Sequence, residues 1–500
     1  MSDEVTLDGR SLDIPALERV ALLGAPVAIA PAASRAMARG RALVDRYVRE
    51  GIPAYGINTG LGARATEALP EAELAEFSLR MVRGRAQGVG PPLTIAETRA
   101  VMLARLNTLL TGEAGASPAV AAFLVEALNR NLAPVVPRWA SIGAGDLVAM
   151  AAIPHAFIGE GEMWRDGAAA PAAEVLAAAG TDPLVLGPKD GLVLTNITAF
   201  SVGQAALAAG AARRALEGLF VAGALSFEGF RGNATPISEG ATRVRPQAGE
   251  VAAGERLRAL LQGGLLLDPG HARRLQDPLS FRCLAQVLGS CLAQYQAVEA
   301  AVAVELNSSA DNPAVLIEEE RVVSTGNFHT PHLSLVLDGL SRALAWAATD
   351  CVSRIARLMN PTMSGLPPLL SSEATGRAGF GPLMKPIEAL RGEILHLANP
   401  VPILPSHNAD GVEDSLTFTA LAARKLSDLV ERLELLIGFE LIAGAQAVDL
   451  ARPAIIGTEL QAVKEKVRKV SPFLDKDRPV AKEVTALAAL VRSGKLVSGE

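Results

Sequence analysis

The stretch Leu426-Ser427-Asp428-Leu429-Val430-Glu431-Arg432-Leu433-Glu434-Leu435-Leu436-Ile437 decides the fold class. Leu426, Leu429, Val430, Leu433, Leu436 and Ile437 fall at i, i+3, i+4, i+7, i+10 and i+11. That is one apolar stripe at the helical period. The pattern extends over residues 415–450, and residues 284–306 and 332–359 behave similarly. Several helices of about 20 residues or more in one half of the chain predict a mainly α fold built on a bundle of long packed helices. Composition agrees. The 500 residues are 50% hydrophobic and only 4% aromatic, so the core must be built mainly from Ala, Leu and Val. Ala and Leu lose little freedom in a helix.

Outward from that stretch, three segments are expected. Residues 1–190 read as a smaller, loop-rich N-terminal domain, 191–456 as the central long-helix bundle, and 457–500 as a helical tail of two shorter helices. Residues 160–166 read as a hairpin. The formal net charge is −6 and the basic residues are scattered, which argues against a nucleic-acid partner. Cys283, Cys291 and Cys351 are an odd count without metal-ligand spacing, the pattern of reduced thiols in a cytoplasmic protein. No residue cluster suggests a metal. The N-terminus is acidic with no apolar core, so no signal peptide is expected. No purely apolar run of about 18 residues appears, so no membrane span is expected either.

Between the helical patterns lie loops of glycine with uncharged amides and one Tyr, Arg or Glu. They are Tyr55-Gly56-Ile57-Asn58-Thr59-Gly60-Leu61-Gly62; Leu194-Thr195-Asn196-Ile197-Thr198; Gln276-Asp277-Pro278-Leu279-Ser280-Phe281-Arg282-Cys283; Asp311-Asn312-Pro313 with Gly326-Asn327-Phe328-His329; and Gly411-Val412-Glu413-Asp414. Each alone is explained by capping and turn chemistry. In this order and spacing the set resembles the histidine, phenylalanine and tyrosine ammonia-lyase family, from Leu7-Asp8-Gly9 to the 472–479 segment Pro-Phe-Leu-Asp-Lys-Asp-Arg-Pro.

The resemblance implies roles. Tyr55 matches the loop tyrosine that removes the β-proton, and needs a positive or hydrogen-bonding neighbourhood to do so near neutrality. Gly60 belongs to the same substrate-binding loop. Arg282 matches the arginine that grips the substrate carboxylate, a bidentate task suited to a guanidinium. Asn196 and Asn312 match amides around the carboxylate and amine, and Glu413 matches the glutamate facing the amine. The family also implies a homotetramer in which several chains build each site.

The departures are as informative. The family makes an electrophilic methylidene-imidazolone from an Ala-Ser-Gly tripeptide. Here the segment reads Ala140-Ser141-Ile142-Gly143-Ala144-Gly145-Asp146-Leu147. Both flanks agree with the family, and the serine between Ala144 and Gly145 is missing. No such cofactor is therefore expected. The pair that selects the substrate ring is Gly84-Arg85, Lys385 stands where an apolar residue is usual, Leu279 replaces a tyrosine and Ser415 a histidine. His155 and His329 read as packing or hydrogen-bonding histidines.

The electrophile assists loss of a poor leaving group. A trimethylammonium has no lone pair to add to it and leaves readily as the neutral amine. One branch of the resembled family releases trimethylamine from ergothioneine, a histidine betaine, and the resemblance implies that β-elimination here, giving thiourocanate. Arg85 and Lys385 would support charge gathering on the ring thione. The alternatives are elimination from another activated aromatic amino acid, and a non-catalytic relative kept for binding or assembly.

Overall fold

The computed structural model describes residues 4–60, 67–371 and 377–497. Leu61 and Gly62 of the first glycine-rich loop lie outside the described residues. Helices dominate. The four longest, Ala199–Phe230, Leu284–Leu306, Pro331–Leu358 and Thr419–Ala451, have 32, 23, 28 and 33 residues. The stripe that predicts the bundle is buried throughout, with Leu426, Leu429, Val430, Leu433, Leu436 and Ile437 at most 1% exposed.

The chain divides into two compact units, each assembled from three stretches. The first comprises Met1–Gly210, Glu299–Leu335 and Val401–Arg424. Its centre is the helix Ile95–Leu109, in which every residue from Thr98 onward is buried. Thr94 and Glu97 close its start with a capping box. The helix beginning at Ala199 approaches so closely that a Cβ on Gly203 would fall 2.7 Å from the Val101 nitrogen, which explains glycine there. Short strands pair around these helices. Val5–Leu7 runs parallel to Val27–Ile29, while Val89–Pro92 with Pro137–Trp139 and Ala314–Leu316 with Arg321–Val323 are antiparallel. The expected hairpin is Glu162–Arg165 with Ala168–Pro171.

The second unit comprises Ala211–Val298, Val336–Pro400 and Lys425–Glu500. A fully buried ion pair crosses its core, Arg354 donating to Glu440 at 2.6 and 2.9 Å. The tail forms the two expected shorter helices, Thr458–Val470 and Ala481–Arg492.

No purely apolar run of 18 residues occurs, as read from the sequence, although two long helices are apolar overall. Asp190–Phe230 and Leu284–Leu306 are both long and apolar enough to cross a membrane by length and composition. Neither is purely apolar, which is why a search for uninterrupted runs passes over them. The apolar window of the first is 89% buried inside the protein, as a core helix would be. The second carries Gln286, Gln294, Gln296, Glu299 and Glu305.

Candidate active site

A cavity of about 660 Å³ in the first unit is lined by Tyr55, Arg85, Asn196, Asn312 and Glu413, together with Ala144, Leu147, Leu192, Phe328 and His329. Five site residues read from the sequence thus meet on one wall system, delivered by five separate segments.

The Tyr55 loop is held by its own amides. Ala54 N–H donates to Asn58 Oδ1 at 2.8 Å, and Asn58 Nδ2 donates to the Ile52 carbonyl at 2.8 Å. Gly60 N–H donates to the Glu67 carbonyl at 2.9 Å. Asn58 and Gly60 are buried scaffolding behind Tyr55, and Gly60 does not line the cavity. Arg85 closes the helix Leu74–Arg85. Burial pushes its pKa down, while neighbouring Tyr55 and Glu413 push it back up. Burial likewise raises the pKa of Glu413, against the pull of Arg85. Arg85 is therefore in electrostatic reach of both Tyr55 and Glu413, and its guanidinium supplies positive charge beside the tyrosine.

Glu413 sits on the hairpin Pro405–Asn408/Glu413–Ser415, paired with Asn408. The hairpin turn uses left-handed backbone at Ala409, Asp410 and Gly411. Asn196 follows the helix Asp190–Thr195, and its Nδ2 donates to the Asn312 carbonyl at 3.3 Å. Asn312 Oδ1 accepts from Ser324 Oγ at 3.1 Å and Thr325 N–H at 3.0 Å. His329, read as a packing or hydrogen-bonding histidine, makes such a bond, with Nε2 3.3 Å from Ser415 Oγ, and also forms part of the cavity wall. A lone histidine in a glycine-rich loop carries no sequence signal that separates these uses.

The segment with the missing serine is tightly bonded. Asp146 is buried and accepts from Ser201 N–H and Ser201 Oγ, both at 2.8 Å, and from Ser141 Oγ. Ser141 Oγ also accepts from Gly143 N–H at 3.1 Å. Ala144 forms a backbone bridge with His329. Gly143 and Gly145 are left-handed, at φ 82° and 62°. A Cβ on Gly145 would lie 2.6 Å from Asn196 Oδ1.

Arg282 and Lys385 belong to the second unit and do not line this cavity. Arg282 ends the short helix Leu279–Arg282 and is exposed. The Gln276 amide, turned so that its oxygen faces the guanidinium, accepts from it at 2.7 and 3.3 Å. Lys385 is exposed near the start of the helix Met384–Leu397.

Long helices carrying loops of amides, a tyrosine and a glutamate around one cavity define a lyase architecture, and the comparisons with known proteins agree. The aromatic amino acid lyase family model matches residues 12–469, and the chain belongs to that family. A histidine ammonia-lyase of Stigmatella aurantiaca is 35% identical over 99% of this chain and 97% of its own length. The structure of the Treponema denticola ergothionase, in complex with desmethyl-ergothioneine sulfonic acid, is 28% identical with a TM-score of 0.92, covering 99% of this chain and 100% of that one. Histidine ammonia-lyase from Trypanosoma cruzi is 30% identical with a TM-score of 0.91, covering 99% and 94%.

The methylidene-imidazolone of ammonia-lyases needs a serine hydroxyl between alanine and glycine. Ala144 and Gly145 are adjacent, and Ser141 Oγ is engaged with Asp146 and Gly143. The residues present do not fit that group.

Proposed function

We propose that this chain is a carbon–nitrogen lyase that eliminates trimethylamine from ergothioneine to give thiourocanate, with no methylidene-imidazolone. The observation that carries the reading is the direct Ala144–Gly145 junction in a cavity that otherwise keeps Tyr55, Asn196, Asn312 and Glu413. A site that retains its base and its amides while losing its electrophile suits a substrate whose amine leaves unaided.

In this reading the Tyr55 oxygen takes the β-proton. The C–H electrons form the new double bond, and the C–N pair departs with nitrogen as neutral trimethylamine. Arg282, Asn196 and Asn312 hold the carboxylate. Glu413 faces the quaternary ammonium. Arg85 and Lys385 stabilise negative charge developing on the ring thione. Four copies assemble, so that Arg282 and Lys385 can come to a cavity from neighbouring chains. The similarity to the Treponema denticola ergothionase supports this substrate.

A second reading is elimination of ammonia from histidine or another aromatic amino acid. It is favoured by the histidine ammonia-lyases at 34–35% identity. Incubation of the purified chain with ergothioneine, histidine, phenylalanine and tyrosine separates the two. Release of trimethylamine with a longer-wavelength absorbance is expected from ergothioneine. Ordinary enzymatic deamination of histidine with no trimethylamine from ergothioneine overturns the first reading.

A further inference from the structure

Behind the wall that carries Asn196 and Asn312 lie two buried cations to which the reaction assigns no part. Lys189 is 2% exposed, and its backbone is left-handed at φ 70°. It stands at the start of the helix Asp190–Thr195, which leads directly into Asn196. Its ammonium donates to the Pro313 carbonyl at 3.0 Å and to the Ala114 carbonyl. On the other side of Asn312, Arg105 is 1% exposed and donates to both oxygens of Asp311, at 2.8 and 3.1 Å. Arg105 also donates to the Val193 carbonyl at 2.6 Å, within the helix that ends at Asn196. The residues on either side of Asn312 are thus gripped by cations that also belong to, or bond, the segment bearing Asn196.

An ammonium so deeply buried is costly. Burial pushes the Lys189 pKa down to about 8; Asp311 opposes the fall, Arg105 and Arg41 add to it, and Asp190 opposes it. An apolar side chain of similar volume would avoid that cost. What it could not do is tie Pro313 to the start of the Asn196 helix. Asn312 Oδ1 is already occupied by Ser324 and Thr325, which leaves its Nδ2 to serve the cavity.

We infer that Lys189 is a positioning residue. By bonding the Pro313 carbonyl while its own backbone starts the helix that presents Asn196, it sets the spacing of Asn196 and Asn312 and so the grip on the substrate's carboxylate and amine end. The inference rests on the proposed role of those two amides, and not on the identity of the ring or the leaving group.

The test is Lys189→Met in the full chain, with two readouts. The first needs no substrate. Hydrogen exchange by mass spectrometry over residues 311–326 should rise roughly tenfold or more, since Thr325 N–H is held by Asn312, while the helix Thr419–Ala451 stays protected. The second is kinetic, on whichever of ergothioneine and histidine the unaltered chain consumes. KM should rise about tenfold or more with a smaller change in kcat, and Lys189→Met should add little in an Asn312→Ala background. Unchanged exchange overturns the inference whatever the substrate proves to be. So do fully multiplicative effects of the two substitutions. If Lys189→Met does not fold, Lys189→Gln, which keeps one amide donor in the same space, carries the same comparison. Loss of ergothioneine turnover in the unaltered chain bears on the proposed reaction alone.

Discussion

At the scale of single residues the cavity is a balance of charges. Tyr55 carries the proton transfer in the proposed reaction, and Tyr55→Phe removes one hydroxyl while keeping the ring. Turnover should fall about a hundredfold or more, the range of general base catalysis, with ligand affinity nearly unchanged by calorimetry. Glu413 gives a pH prediction. Its carboxyl is raised by burial, with Arg85 opposing. A raised carboxyl binds its proton more tightly in the folded chain than in the unfolded one. Its contribution to stability is therefore fullest at low pH and is lost as pH rises through the folded pKa. In the proposed reaction catalysis runs the other way, because there the anion faces a quaternary ammonium. The acid limb of kcat/KM should lie above the ordinary glutamate value of about 4.3, and Glu413→Gln should remove that limb. A limb unchanged in Glu413→Gln would assign it to another group.

At the scale of elements, legibility followed the physics of each segment. The long helices were readable because a buried face repeats at the helical period, and Leu426 to Ile437 leave no other interpretation. The Tyr55, Asn196, Asn312 and Glu413 loops were readable as a set only through their order and spacing, which resemble those of the ammonia-lyases; each alone reads as capping and turn chemistry. The strand pair Val89–Pro92 with Pro137–Trp139 was not, because proline and glycine erase the alternation that marks a strand. The hairpin under Glu413 was hidden for a related reason: Asp410-Gly411 signals its turn, but the short strands Pro405–Asn408 and Glu413–Ser415 are polar and show no apolar alternation. The wall position of His329 depends on its bridge to Ala144, a contact between segments far apart in sequence. The shortened segment itself yields a direct measurement. Ala144 abuts Gly145, and Ser141 is committed to Asp146, so intact-mass spectrometry should return the unmodified 51.9 kDa chain. A deficit of two waters would falsify the absence of the prosthetic group.

At the scale of the whole molecule, the proposed site outgrows the cavity that one unit provides. Tyr55, Asn196, Asn312 and Glu413 lie in the first unit, while Arg282 and Lys385 are exposed residues of the second. An exposed guanidinium gains little from lone ion pairs in water, but becomes valuable when a partner chain desolvates it against a carboxylate. In a homotetramer with shared sites, the tyrosine of one chain and the arginine of another would serve the same substrate. Tyr55→Phe and Arg282→Ala chains should each be nearly inactive alone. Expressed together in equal amounts and assembled at random, they should regain roughly a quarter of the unaltered activity, since each shared site draws the two residues independently from a mixed pool. If every site used Tyr55 and Arg282 of a single chain, mixing would restore nothing. The assembled mass, read by light scattering on the same samples, separates this outcome from a failure to assemble. A tetramer without recovered activity would count against shared sites, whereas a monomer with full activity would count against the assembly itself.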